Sequence, residues 1–214
     1  MTAISDRFDG AFSRLPLVAI LRGLRPDEAE GITSALYEAG FRLIEVPLNS
    51  PEPFVSIEKV RRLLPADAIV GAGTVLEVAQ VGKLADIGAD LVVMPHADTA
   101  VIAAAAAAGL ICTPGVATPT EAFAALAAGA SALKLFPAEM ISPPVVKAIK
   151  AVLPKGTRML PVGGITPSNM KPYLDAGAAG FGLGSAVYKP GMSAADVGTA
   201  AAAFVSAWSA LKAG

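Results

Sequence analysis

The chain has 214 residues, 54% of them hydrophobic, with 17 basic against 18 acidic side chains and a formal net charge of −1. That length suits a single α/β barrel, and a near-neutral charge without charged blocks argues against nucleic acid or an anionic membrane as partner, leaving a small molecule as the expected ligand. A single cysteine, Cys112, excludes an internal disulfide, the N-terminus lacks a basic segment followed by an apolar core, and the longest alanine-rich run, 100–110, is too short for a bilayer, so a cytoplasmic protein is expected.

In chain order, residues 2–12 read as an extra helix before the first strand, giving an N-terminal capping helix over 1–14 and a barrel over 15–214 within one domain. From residue 17 the sequence returns repeatedly to one pattern: a short β-type apolar run, a turn, then an alanine-rich helical stretch. The runs are Leu17–Leu21, Leu43–Leu48, Ile69–Thr74, Leu91–Pro95, Leu110–Gly115, Ala132–Pro137, Arg158–Gly164 and Gly180–Gly184. Their starts lie roughly 20 to 26 residues apart, about one strand, one helix and two short loops. Gly40, Gly88, Gly109, Gly129 and Gly177 each follow a helical stretch, where glycine takes the left-handed cap conformation at little cost. Arg25-Pro-Asp-Glu28, Ser50-Pro-Glu52, Thr118-Pro-Thr-Glu121, Ser142-Pro-Pro144 and Thr166-Pro-Ser-Asn169 read as helix starts with a capping oxygen before proline or an acidic first turn. Phe204, Trp208 and the alanines of 196–210 have the spacing of a helix packing face.

Strands apolar on nearly every residue and separated by helices predict a parallel sheet covered on both faces, and eight such units predict a closed (β/α)8 barrel. An open doubly wound sheet is the alternative, but no Gly-rich dinucleotide loop follows the first strand. In such a barrel the functional face is the C-terminal end of the strands. Reading each strand to its end puts Arg22, Glu45 with Asn49, Thr74, His96, Thr113, Lys134, Gly163 with Gly164, and Gly184 with Ser185 at one mouth.

Lys134 stands inside the apolar run Ala132-Leu-Lys-Leu-Phe-Pro137. Burial disfavours its ammonium form, and a neutral amine is the nucleophile of imine chemistry. Glu45 is as isolated in Leu43-Ile-Glu-Val-Pro-Leu48. The two side chains either form a buried structural ion pair or supply a nucleophile with its proton carrier. Gly163-Gly164 is expected to open a helix at Thr166, and Gly182-Leu-Gly184-Ser185 to precede a short helix; phosphate sites of these barrels are built from those two loops. His96 is a lone loop histidine and Cys112 a small core residue. No cluster of His, Cys, Asp and Glu has metal-ligand spacing, so a metal-dependent mechanism is not expected.

Together Leu17-Val-Ala-Ile-Leu-Arg-Gly23, Glu45-Val-Pro-Leu-Asn-Ser50, Gly71-Ala-Gly-Thr-Val75, Lys134-Leu-Phe-Pro137 and Val162-Gly-Gly-Ile165 resemble the class I aldolases that cleave 2-keto-3-deoxy-6-phospho sugar acids. The resemblance implies a (β/α)8 barrel, a homotrimer, and neither metal nor organic cofactor. It implies Lys134 as the Schiff-base lysine, Glu45 as the general acid/base, and Arg22 with Thr74 near the pyruvyl carboxylate. Gly163, Gly164, Gly184 and Ser185 match the phosphate site, and Phe136 joins the substrate-binding residues. The branch acting on the gluconate epimer carries arginine where Asn49 stands and threonine where Val162 stands. This sequence departs from both and is similar to the 6-phosphogalactonate branch, since valine keeps threonine's shape but cannot bond a substrate hydroxyl. Cleavage of the gluconate epimer, and phospho-sugar binding without turnover, are the competing readings.

Overall fold

The structure is a computed structural model and describes residues 3–213; residues 1 and 2 of the expected N-terminal helix and residue 214 lie outside it. After α1 (Ile4–Arg14) the chain alternates through β1 (Leu17–Ile20), α2 (Ala29–Ala39), β2 (Leu43–Pro47), α3 (Pro53–Leu63), β3 (Ile69–Gly73), α4 (Val78–Asp86), β4 (Leu91–Val93) and α5 (Thr99–Ala107). It continues through β5 (Ile111–Thr113), β6 (Gly115–Val116), α6 (Pro119–Ala127), β7 (Leu133–Leu135), α7 (Pro143–Val152), β8 (Met159–Pro161), α8 (Met170–Asp175), β9 (Phe181–Leu183) and α9 (Ala194–Ala213). Each apolar run in the sequence contains a strand.

All pairings are parallel, in a six-stranded sheet ordered β5-β4-β3-β2-β1-β9 and a three-stranded sheet ordered β6-β7-β8. The order shows none of the reversal that a doubly wound sheet requires. The fifth run, expected as one strand, is two: Pro114 has no N–H to donate and separates β5 from β6, although its carbonyl accepts from Lys134 N at 2.9 Å. A parallel bridge, Val162 to Gly182, ties the end of β8 to β9. The result is a curled parallel sheet.

Alternation along the strands sorts side chains into two layers. Leu17, Ala19, Ile44, Val70, Val92, Leu133 and Phe181 join the helices in one core, while Val18, Leu43, Ile69, Leu91, Ile111, Ala132 and Leu160 pack on the concave side around Phe8 and Phe12 of α1. The aromatic face of α1 therefore packs against the concave face of the curled sheet. Arg7 of α1 also reaches Asp90, a buried carboxylate that accepts from Arg7 and Arg61 and from the Val70 N–H. On α9, Val197, Ala201, Phe204 and Trp208 are buried, the packing face that helical spacing predicts. This helix is long and apolar enough by length and composition to cross a membrane, but here that face covers the core.

Gly40, Gly88, Gly109, Gly129 and Gly177 all have positive φ, as their position after helices requires. The helix starts follow the expectation less closely. Thr118 and Glu121 form a reciprocal capping box on α6, but Ser142 makes no side-chain cap bond, and Ser50 accepts from the Gly23 N–H instead of capping α3. Short hydroxyl side chains take whichever nearby donor tertiary structure supplies.

Candidate active site

The same alternation that builds the inner apolar layer sets the residues above it. Two positions beyond Leu43, Ile111, Ala132 and Leu160 stand Glu45, Thr113, Lys134 and Val162, facing the same side. With Ile20, Val93 and Gly182 these four line a cavity of about 20 Å³, room for about one water. Glu45 and Lys134 are 1% and 6% exposed, so both charged groups have been taken out of bulk solvent.

Among the described residues no salt bridge joins them. Glu45 Oε2 is buried without any hydrogen-bond partner. This removes the structural ion-pair reading, because a buried pair of that kind stabilises only when it is closed and its remaining lone pairs are satisfied. Burial pushes the Glu45 carboxyl up to about 7 against the opposing pull of the Lys134 and Arg22 charges. Burial likewise lowers Lys134 below its ordinary value, and Arg22 lowers it further, while Glu45 works against both. The Lys134 Nζ lies 4.6 Å from the centroid of the Phe136 ring. Burial thus biases both groups toward their neutral forms, the carboxyl near neutrality and the amine below its ordinary range.

Arg22 and Asn49 stand exposed at the rim on loops that are tied together. Arg22 Nη1 donates to Asn49 Oδ1 at 3.2 Å, and the Gly23 N–H donates to the buried Ser50 hydroxyl at 2.9 Å. Thr74, half-buried at the end of β3, adopts φ 54°. A β-branched residue in the left-handed region is an outlier that costs about 1–2 kcal/mol, a strain found where function requires it. Replacing Thr74 by glycine is expected to raise unfolding stability by about 1 kcal/mol in denaturant titration; an unchanged or lower value would mean that contacts of the threonine side chain outweigh the strain.

The two glycine loops follow neighbouring strands, β8 and β9. Gly163 and Gly164 have φ 115° and 61°, which turns the chain sharply off β8. The expected helix at Thr166 does not begin there: Asn169 Oδ1 accepts from the Thr166 N–H, its amide donates to the Gly164 carbonyl, and α8 starts only at Met170. This side-chain turn supplants the first helical turn. Beyond Gly184 and the exposed Ser185 the chain makes a turn, closed by Val187 and Tyr188 N–H groups on the Gly184 carbonyl, and not the short helix expected. The exposed Glu139 carboxylate stands against Gly163, where a Cβ would overlap it; nothing in the sequence signals that approach.

The structure therefore brings Glu45, Lys134 and Val162 into one cavity, puts Arg22, Asn49 and Thr74 on adjoining strand ends, and leaves His96 exposed on the loop after β4. Cys112 is buried against Met94, with its thiol pushed up to about 12 by burial. Thr113 and Gly73 also belong to the neighbourhood. A hydroxyl closing an apolar strand was the signal for the first, and the glycine two residues from Gly71 the signal for the second.

An α/β protein with a buried lysine and an unpaired carboxylate at the ends of parallel strands is the class that fold and site define. Residues 9–201 match the family model described as "KDPG and KHG aldolase". The chain is 53% identical over 199 residues, 93% of its length and 94% of the relative's, to the "Probable 2-dehydro-3-deoxy-6-phosphogalactonate aldolase" of Rhizobium meliloti (strain 1021). It is 47% identical over 196 residues, covering 92% of this chain and 96% of the relative, to the 2-dehydro-3-deoxy-6-phosphogalactonate aldolase of Escherichia coli (strain K12). A solved structure described as "Native KDPGal structure" superposes with a TM-score of 0.92 at 46% identity, over 94% of this chain and 97% of that one. The chain belongs to the KDPG and KHG aldolase family.

Proposed function

We propose that this protein is a class I aldolase that cleaves 2-dehydro-3-deoxy-6-phosphogalactonate to pyruvate and glyceraldehyde 3-phosphate. The observation that carries the reading is the buried Lys134 beside a buried, unpartnered Glu45, in a chain whose relatives bear that aldolase name. Neutral Lys134 adds through its amine nitrogen to the C2 carbonyl, and loss of water from the carbinolamine leaves a protonated imine. Glu45 as carboxylate takes the C4 hydroxyl proton. The C3–C4 electron pair then flows into the imine, releasing the aldehyde and leaving the enamine of pyruvate. Glu45 returns that proton to C3, and water hydrolyses the imine to free pyruvate and the lysine.

Arg22 and Thr74 hold the carboxylate, and Phe136 packs beside the reacting lysine. Asn49 and Val162 select the epimer, with valine offering no hydroxyl at the position facing the cavity. The N–H groups around Gly163, Gly164, Gly184 and Ser185 take the phosphate, whose remote binding energy positions the reacting bond. The curled sheet is read as one closed (β/α)8 barrel domain, supported by the Val162–Gly182 bridge at one seam and the β5–Pro114–β6 continuity at the other, with α1 as its capping helix. A cytoplasmic homotrimer fits the family resemblance, and exposed Leu76, Val78 and Phe123 offer apolar surface for a subunit contact.

Incubation with pyruvate and borohydride, followed by peptide mass mapping, tests the mechanism. One reduced pyruvate on Lys134 is expected, together with faster cleavage of the galactonate epimer than of the gluconate epimer. Folded protein without an adduct would leave a phospho-sugar binder, and a reversed epimer preference would leave the gluconate aldolase.

A further inference from the structure

Gly71 and Gly73 stand two apart on β3 and face the same side as Glu45, yet neither has a left-handed φ. Backbone freedom therefore does not explain them, and the space beside each one does. A Cβ on Gly71 would overlap the Leu91 carbonyl oxygen and stand 2.6 and 2.7 Å from the Leu91 C and Cα, so this glycine lets β3 and β4 approach. At Gly73 the three nearest atoms are not backbone. All belong to the Glu45 carboxylate: a Cβ would overlap Oε2 and Cδ and stand 2.5 Å from Oε1, inside the 3.0 Å that real Cβ atoms essentially never cross.

Register explains the approach. Glu45 pairs with Gly71 and Pro47 with Gly73 across β2 and β3, so the Glu45 side chain leans along the sheet toward the strand ends and comes to rest over the α-carbon of Gly73. We propose that Gly73 is a positioning residue for the reaction: its missing side chain is the seat that holds the Glu45 carboxylate unpaired at the cavity. A bare α-carbon fixes the carboxylate in place without donating a hydrogen bond, and so leaves Oε2 without a partner and free to exchange a proton. Any larger residue at 73 forces the carboxylate to rotate away, while Lys134 on β7 is untouched.

This inference rests on Glu45 being the acid/base. Its test therefore separates proton transfer from imine formation. With pyruvate in deuterium oxide, exchange at the methyl group, followed by proton NMR, reports the acid/base step; borohydride trapping reports Lys134. Gly73→Ala is expected to slow exchange by at least about 10²-fold while the Lys134 adduct still accumulates to completion. In a Glu45→Gln background the same substitution is expected to add less than about a twofold further loss, because two residues acting through one group are not additive. Thermal unfolding covers a Gly73→Ala protein that folds poorly: truncating Glu45 to alanine in that variant removes the colliding atoms and should restore its midpoint to that of Glu45→Ala alone.

Folded Gly73→Ala exchanging within about threefold of the parent would overturn the inference. So would a full additional loss in the Glu45→Gln background, or a midpoint that Glu45→Ala fails to restore. If the parent protein itself neither exchanges nor forms an adduct, the aldolase reading fails instead.

Discussion

Lys134→Ala is expected to reduce cleavage by at least about 10⁴-fold while the protein remains folded. Lys134 is buried but joined to no carboxylate among the described residues, so its loss breaks no closed ion pair there. The Glu45 carboxyl also tolerates the change, because without the lysine's attraction it moves further toward the neutral form. Lys134→Arg sharpens the result. Arginine retains a positive charge in the cavity but does not deprotonate, so it cannot add to a ketone. If the lysine served only as a charge, arginine would keep substantial cleavage; equal inactivity of both variants, with circular dichroism unchanged, is the expected outcome. Residual cleavage within about 10²-fold of the parent in either variant would remove Lys134 from the chemistry.

Glu45→Gln is expected to lower kcat by about 10²- to 10⁴-fold and to change two pH dependences. The proposed base must be ionised, and burial pushes its carboxyl up to about 7 in the free protein, so kcat/KM of the parent should rise as pH passes through about 7. Glutamine should abolish that limb; a limb of the same position in the variant would assign it to another group. The stability effect has the opposite sign. Burial raises the pKa from 4.5 to about 7, so the folded state holds this proton more tightly than the unfolded chain does. Its contribution is complete below about pH 4.5 and is lost as pH rises through 7, a difference of 2.5 pKa units from the same two values, or roughly 3 kcal/mol. Chemical denaturation at pH 5 and pH 8 should show the parent losing most of that, about 2.5 kcal/mol, relative to Glu45→Gln. Parallel pH dependences would mean that the carboxylate is solvated or paired in solution.

These predictions concern the two residues that were most legible in the sequence. A lysine and a glutamate each flanked by strand-forming apolar residues are misfits in any fold, and the alternation of a strand leaves them no route to solvent except at its end. The strand runs were legible for a related reason, since a sheet covered on both faces demands apolar residues at consecutive positions. Gly40, Gly88, Gly109, Gly129 and Gly177 were legible because the left-handed cap is a requirement of the local backbone.

What could not be read locally was every choice of partner. Ser50, placed to cap a helix, instead accepts from Gly23 on the neighbouring loop. Asn169 replaces the helical turn expected after Thr166, and Glu139 comes to stand against Gly163 from another strand end. Gly71 and Gly73 are alike in the sequence, yet one makes room for a neighbouring backbone and the other for a carboxylate.

The sequence by itself determined where strands recur, where the helices before Gly40, Gly88, Gly109, Gly129 and Gly177 stop, and that Lys134 and Glu45 are out of place among apolar neighbours, because backbone conformation and burial tendency follow from a residue and its near neighbours. Only the tertiary structure decided that those two groups share a cavity without closing into an ion pair and that Glu45 rests over Gly73. Those facts depend on strand register and on distances of a few ångströms between segments far apart in the chain, and no local pattern encodes them.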